Sequence, residues 1–261
     1  MKILLTGHRG FIGSNMLRAL ADHDVRTFEW GEDWNKVKLQ DLDWCIHMGA
    51  ISSTAERDVN KVMNQNYDFS CRLLDHCMDN GVNMQYSSSA SVYGLVSTFR
   101  EDSPVDPRTP YAWSKYMFER YAASNQAYAD HNQYRVQGFR YFNVHGPGEG
   151  HKGTQASPYH QFSRQAQDTG RIRVFEHSGQ YRRDFVPVSQ VVATHLKFMS
   201  APVSGIFNVG TGATKSFREV AEQFNVPIDE IPMPAGLKDS YQTYTCADMT
   251  LTREYFPLDQ E

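Results

Sequence analysis

The chain has 261 residues and a net charge of −4, enough length for a full hydrophobic core in one domain or two small ones. The acidic balance gives no basic field for a phosphate backbone, so a nucleic-acid partner is not expected. No apolar run approaches the ~20 residues that span a bilayer, so a membrane partner is not expected either.

The four cysteines, Cys45, Cys71, Cys77 and Cys246, have neither CxxC spacing nor the density of a disulfide scaffold. With no apolar leader before the first glycines, a cytoplasmic protein with reduced thiols and no metal is the expectation.

From the N-terminus, "KILLT" reads as a buried strand and "FIGSNMLRALAD" as a helix entered through a glycine turn. "VRTFEW" is a second strand, ending at Glu29, and "WCIHMGA" a third. A helix follows from Val59 to Asn80, then the strand "NMQYSSS". Pro110 opens the helix "YAWSKYMFERYAASNQAYA", and "YRVQGFRYFNV" is one further strand. Strands separated by helices require parallel crossovers, which predicts a doubly wound α/β fold with a parallel sheet. The expected division is a dinucleotide-binding Rossmann domain over residues 1–142 and a smaller, loop-rich, mainly substrate-binding portion over 143–261. The chain is expected to return to the sheet around 184–210, at "GIFNVGTG".

"TGHRGFIG" places Gly7, Gly10 and Gly13 between a strand and a helix. Glycines there allow a tight turn, close approach of a pyrophosphate, and helix–strand packing, while the helix N-terminus offers free N–H groups to the anion. Glu29 suits the ribose hydroxyls of NAD and would repel the extra phosphate of NADP. Arg9 pulls the other way, since a guanidinium can pair with that phosphate. NADP is the expected cofactor, with NAD the alternative, and the two signals stand opposed.

Tyr111 and Lys115 in "YAWSK" lie four residues apart and share one helix face. A free phenol ionises near pH ~10; a neighbouring ammonium and a positive nicotinamide ring would favour the phenolate. Lys115 can also hold the nicotinamide ribose. A serine of "SSSASVYG" can hydrogen-bond the reacting oxygen. The loop "NVHGPGEGHKGTQAS" carries a single lysine, Lys152, for which exposure to water is the ordinary explanation.

Taken together, "TGHRGFIGS", "SSSASVYG", "YAWSK", "RYFNVHGP", "RRDFV" and "NVGTG" resemble the extended short-chain dehydrogenase/reductases, in their nucleotide-sugar epimerase/dehydratase branch. The resemblance implies a catalytic hydroxyl at Ser89, a base at Tyr111 and its partner at Lys115. It also implies cofactor contacts from Gly7, Arg9, Gly10, Phe11, Ile12, Gly13, Glu29, Met48, Gly49, Ala50, Asn66, Tyr111, Lys115 and Val144. Ala90 and Ser91 stand where dehydratases usually carry an Asp-Glu pair, which leaves an epimerase as the better reading.

The second half, through "EGHKG", "VFEHSGQYRRDFV" and "LKDSYQTYTCADMT", is most similar to the ADP-glyceromanno-heptose 6-epimerases of that branch. That resemblance makes Lys152 the second acid/base and assigns substrate contacts to Ser89, Asn143, Thr154, Phe175 to Ser178, Arg183 and Tyr241. Arg183 is the expected phosphate clamp, with Arg182 turned to solvent. The chain departs from the pattern at Gln161 (a histidine in the family, with His160 adjacent), at His145 (expected to serve packing) and at His177 (expected to tighten the nucleotide pocket). Only "WGEDWNKVKLQDLD" joins Glu29 to Trp44, too short for the usual helix, strand and helix, so a sheet element is expected to be missing. The chain also stops before an expected last helix. Apolar surface exposed by these losses predicts a homo-oligomer.

Overall fold

Ile3, Leu4 and Leu5 put apolar side chains on both faces of one strand, which suits only a sheet covered on both sides. The computed structural model describes residues 1–234 and 242–256. β1 (Lys2–Thr6) leads through the glycine turn into α1 (Phe11–Ala19), followed by β2 (Asp24–Phe28) and β3 (Trp44–His47). α2 (Val59–Val62), a π turn (Met63–Asp68) and α3 (Phe69–Asp79) run continuously before β4 (Asn83–Ser89). α4 (Pro110–Ser124) and α5 (Gln126–His131) precede β5 (Val136–Tyr141) and β6 (Asn143–His145). Next come α6 (Pro158–Thr169), β7 (Ile172–Phe175), β8 (Arg182–Arg183), β9 (Phe185–Pro187) and α7 (Val188–Phe198). β10 (Gly205–Val209), β11 (Lys215–Ser216), α8 (Phe217–Glu222), β12 (Ile228–Ile231), β13 (Tyr244–Thr245) and a helix at Thr250–Tyr255 complete the order.

Six strands form one parallel sheet in the order β2-β1-β3-β4-β5-β10. Alternation along the strands divides the core. Ile3, Leu5, Trp44 and Ile46 meet Met16, Leu20, Val192 and Met199 from α1 and the α7 region. Leu4, Cys45, Met84 and Val136 meet Leu73, Cys77, Phe118 and Ala122 from α3 and α4. The connection from β1 to β2 leaves in one direction and β3 lies on the other side of β1. The crevice between them, at the carboxyl ends of the strands, is where doubly wound sheets bind ligands.

Two sequence expectations change in detail. The helix after Pro110 breaks at Asn125, so α4 and α5 are separate. The strand expected over "YRVQGFRYFNV" also divides, because β6 leaves the sheet to pair with β9. Smaller pairings, β11-β8-β13 and β12-β7, frame the second half.

β2 is an edge strand, and residues 30–43 hold only a single 3₁₀ turn at Trp34–Lys36. The missing element is replaced by side chains: Phe28 stacks on Phe69, Trp30 and Trp34 each meet Phe69 edge-to-face, and Val37, Leu39 and Leu42 are buried nearby. Arg72 lies 4.7 Å above the Trp34 ring. Among the described residues no helix is long and apolar enough to cross a membrane.

Candidate active site

The glycine loop is built by close contact. Gly7 has φ +72 in a turn closed by Gly10 N donating to Gly7 O at 3.0 Å, and a Cβ on Gly13 would collide with the Gly7 carbonyl. Gly10 caps α1 without a side-chain bond, leaving the first N–H groups of the helix for an anion. A cavity of about 160 Å³ opens beside it, lined by Thr6, Gly7, Gly10, Glu29, Met48, Gly49 and Ala50 together with Trp30, Gln65 and Phe69. Phe11 is buried, and Ile12 and Val144 meet in the same apolar cluster with Phe139 and Val209. A backbone this tightly packed, with an uncapped helix end and a carboxylate at the far rim, fits a dinucleotide.

Glu29 sits just past the end of β2. Its Oε1 accepts from Arg9 N at 3.1 Å and lies 2.8 Å from His8 Nδ1, off the angle of a hydrogen bond. The Arg9 side chain is exposed and faces Glu32, 3.6 Å away, while Glu32 Oε2 accepts from Glu29 N at 3.2 Å. Glu32 went unmarked in the sequence, where only its neighbour Glu29 had a recognisable place.

Asn66, the expected cofactor contact, is 1 % exposed, and its amide is bound to the chain itself. It accepts from Ile51 N and donates to Ile51 O and to Ser114 Oγ, at 2.8, 3.0 and 3.1 Å. The amide thereby ties the loop after β3 to α4. It belongs to a buried chain: Thr6 Oγ1 to His47 Nδ1 at 2.6 Å, His47 Nε2 to Ser70 Oγ at 2.7 Å, and Ser70 Oγ to Asn66 O at 2.5 Å. Ser114 Oγ closes the chain by donating to Tyr111 O at 2.7 Å. Burial, helped by Lys115, depresses His47 to about 3, so the imidazole is neutral.

α4 starts sharply because Thr109 accepts from Ala112 N and Pro110 supplies the first turn. This sets Tyr111 and Lys115 on its inner face, both buried. Ser89 ends β4, and its Oγ accepts from Ser91 N at 3.2 Å. Burial pushes the Tyr111 phenol up, and a hydrogen bond with Ser89 pulls it back. The expected lowering by Lys115 is absent from that balance. The ammonium donates instead to Ser87 O at 2.8 Å, and burial lowers it to about 8 against the opposing pull of Glu119. Glu119 in turn holds Arg140 bidentately, at 3.0 and 2.7 Å, and accepts from Ser88 Oγ. Neither member of that buried pair was marked in the sequence.

Lys152 lies in the 3₁₀ segment Glu149–Gln155, half-buried, its Nζ 5.5 Å from the centre of the Phe11 ring. Burial lowers its pKa while Glu149 opposes. The loop is pinned by Glu149, which accepts from Gly146 N, Ser157 N and Ser157 Oγ at 3.1, 2.6 and 2.8 Å. Asn15 donates to Pro147 O at 3.0 Å, and Gln155 reaches Ser53 Oγ at 2.6 Å. The lysine is thus turned onto the glycine-loop helix rather than out into water.

A second cavity, of about 390 Å³, is lined by Gln161, Phe162, Gln165, Arg173, Phe175 and Ser178, with Tyr181 and Phe217. Ser178 is buried and its Oγ has no hydrogen-bond partner. Arg183, in β8, is buried and donates to Arg182 O and Gln242 O at 2.9 and 2.6 Å. Arg182 is partly exposed and anchored at the surface, where it binds Thr214 and pairs with Glu219 at 3.0 Å. Thr154 and Asn143 are exposed. Tyr241 lies outside the described residues. His145 stacks on Tyr159, centroids 4.1 Å apart, as its packing role requires. His177 is exposed, has φ +62 and is not among the residues lining the cavity, so it occupies a left-handed turn rather than the pocket wall. Asp184, quoted within "RRDFV" but given no role there, is fully buried and accepts from Thr211 N, Gly212 N and Ala247 N at 2.8, 2.9 and 3.1 Å, tying "NVGTG" to β8 and β13.

Comparison with known proteins agrees with this geometry. Residues 3–210 match the model of the NAD dependent epimerase/dehydratase family. The ADP-L-glycero-D-manno-heptose-6-epimerase of Helicobacter pylori superposes with a TM-score of 0.85 at 26% identity, over 98% of this chain and 91% of that one. The UDP-N-acetylglucosamine 4-epimerase of Methanobrevibacter ruminantium gives 0.86 at 21% identity, over 98% and 91%, and shares the fold. So does the UDP-glucose 4-epimerase of Thermus thermophilus, solved with NAD, at 0.79 and 22% identity over 98% and 93%. The chain belongs to the NAD dependent epimerase/dehydratase family, and it is an enzyme of the epimerase kind.

Proposed function

We propose that the protein is an NAD-dependent nucleotide-sugar epimerase that inverts carbon six of an ADP-linked manno-heptose. The observation that carries this reading is Lys152, an amine with a lowered pKa drawn onto Phe11 from a different element than the one bearing Tyr111. An epimerase must oxidise a carbon and reduce it again in the opposite configuration, so the sugar has to turn. One proton-transfer group cannot serve both poses equally; two on separate elements can. A dinucleotide held at the glycine loop would supply reversible hydride acceptance from the sugar carbon.

In this reading Tyr111 takes the hydroxyl proton of one epimer and Lys152 that of the other. Ser89 holds the reacting oxygen, and Lys115 holds the ribose. Lys152 is suited to the task because burial raises its neutral fraction near neutral pH. Tyr111 needs the positive nicotinamide ring as well, since burial alone pushes the phenol the wrong way. Arg183 faces the sugar diphosphate, and the cavity containing Ser178 takes the nucleotide. The division into residues 1–142 for the dinucleotide and 143–261 mainly for the substrate follows from the same reading.

NAD replaces NADP as the proposed cofactor. The guanidinium that would favour a 2′-phosphate faces Glu32, and Glu29 and Glu32 put two carboxylates beside the glycine loop, which would repel an added phosphate. A homo-oligomer is also proposed: Trp113 and Met117 are both exposed one turn apart on α4.

The test is to supply each ADP-glycero-manno-heptose epimer with NAD or with NADP and follow interconversion by NMR. The expected result is interconversion supported by NAD, with no net build-up of reduced cofactor. Conversion of UDP-hexoses and none of ADP-heptose would overturn the substrate assignment.

A further inference from the structure

We infer that Trp30 is the stacking platform for the adenine ring of the dinucleotide; the inference rests on the cofactor reading above. Trp30 follows Glu29 directly, and the two line the same cavity as the glycine loop. A carboxylate at the end of the second strand of such a fold binds the ribose that carries adenine. A base joined to that ribose would have Trp30, the next residue in the chain, within the same cavity wall. In this molecule that residue is a large aromatic side chain.

Isolated exposed apolar side chains are ordinary. Trp30 differs in being braced. It is 48 % exposed, yet its ring is held edge-to-face against Phe69 at 5.5 Å and 85°. Phe69 is itself fixed between Phe28 and Trp34. The brace exists because residues 30–43 contain no strand, so the wall that a neighbouring strand would supply is made of aromatic rings. An indole with a fixed attitude and a broad uncovered surface, set in the wall of a nucleotide cradle, matches a purine in size and in chemistry. Gln65, on the same wall, offers an amide to the edge of the base.

The experiment is a fluorescence titration of the purified protein, freed of any co-purifying nucleotide, with NAD, ADP-ribose and nicotinamide mononucleotide. NAD and ADP-ribose are expected to quench tryptophan emission, and nicotinamide mononucleotide to leave it unchanged. In Trp30→Phe most of the quench should vanish while affinity is largely kept, because phenylalanine still stacks. In Trp30→Ala the affinity for NAD and for ADP-ribose should fall roughly tenfold. Circular dichroism of both variants, matched to wild type, separates lost stacking from lost fold. Unchanged ADP-ribose affinity in Trp30→Ala overturns the platform and leaves the cofactor reading standing. Failure of the wild type to bind any of the three overturns both.

Discussion

The side of the site proposed for the dinucleotide and the side proposed for the sugar are held in place in different ways. On the first, polar side chains are closed on one another: Thr6, His47, Ser70, Asn66 and Ser114 form one buried chain from the glycine loop's strand to the helix of Tyr111. On the second, strands are only two to four residues long, and Ser178 is left with an unbonded hydroxyl in a cavity wall. A buried polar group costs free energy unless it finds a partner. The closed side therefore fixes geometry before any ligand arrives, and the open side keeps a group for the ligand to satisfy. Chemistry common to a family belongs on the first, and choice of sugar nucleotide on the second.

The sharpest way to break this contrast is at Tyr111. Tyr111→Phe keeps the packing and removes the proton-transfer group, and epimerisation should fall by about 10³-fold. NAD affinity, read by calorimetry, should hardly move, because the closed network does not use the phenol oxygen. A matching loss of NAD binding would show that the two sides are not separable.

Lys152→Met comes next. The substitution keeps an unbranched side chain of similar length facing Phe11 and removes the amine. Interconversion should drop by about 10²-fold. Transient reduction of enzyme-held NAD by the epimer that Tyr111 serves should persist in rapid-mixing absorbance traces. If reduction stops with both epimers, the lysine is not a second acid/base.

The smallest effect sharpens the comparison through pH. His47 and His195 are both buried in the sheet region and depressed from 6.5 to about 3 by desolvation. Each imidazole is hydrogen-bonded within the fold, His195 between Gln85 and Tyr141. Between pH 6.5 and 3 the unfolded chain binds protons that the folded chain refuses. Stability therefore falls as pH drops through that window, by about 1.4 kcal/mol per pH unit for each histidine once its unfolded form is fully protonated. Urea unfolding midpoints from pH 7 to pH 4 should show this slope, and His195→Gln should flatten part of it. A midpoint independent of pH would mean that these imidazoles are not held neutral.

Legibility in the sequence followed the same line. The glycine turn, Tyr111 with Lys115, and the hydroxyl-ended β4 are each encoded within a few residues, and their occurrence together makes them legible. The short link between Glu29 and Trp44 led to the expectation of a lost sheet element, and β2 is the sheet's edge. The break at Asn125 and the departure of β6 toward β9 were hidden, because both are decided by tertiary partners rather than by periodicity.

What the amino-acid order determined by itself is the parallel, doubly wound scaffold and the place of its nucleotide turn. Hydrophobic alternation and glycine sterics are local, and each strand carries them whole. What only the tertiary structure decided is the state of the charges and rings upon that scaffold. Arg9 facing Glu32, Glu119 gripping Arg140, Asp184 joined to Thr211 and Ala247, and Trp30 braced on Phe69 all bring together residues far apart in the chain. Such pairings depend on distance in space, since Coulomb energy, desolvation and ring packing act between neighbours regardless of their numbering.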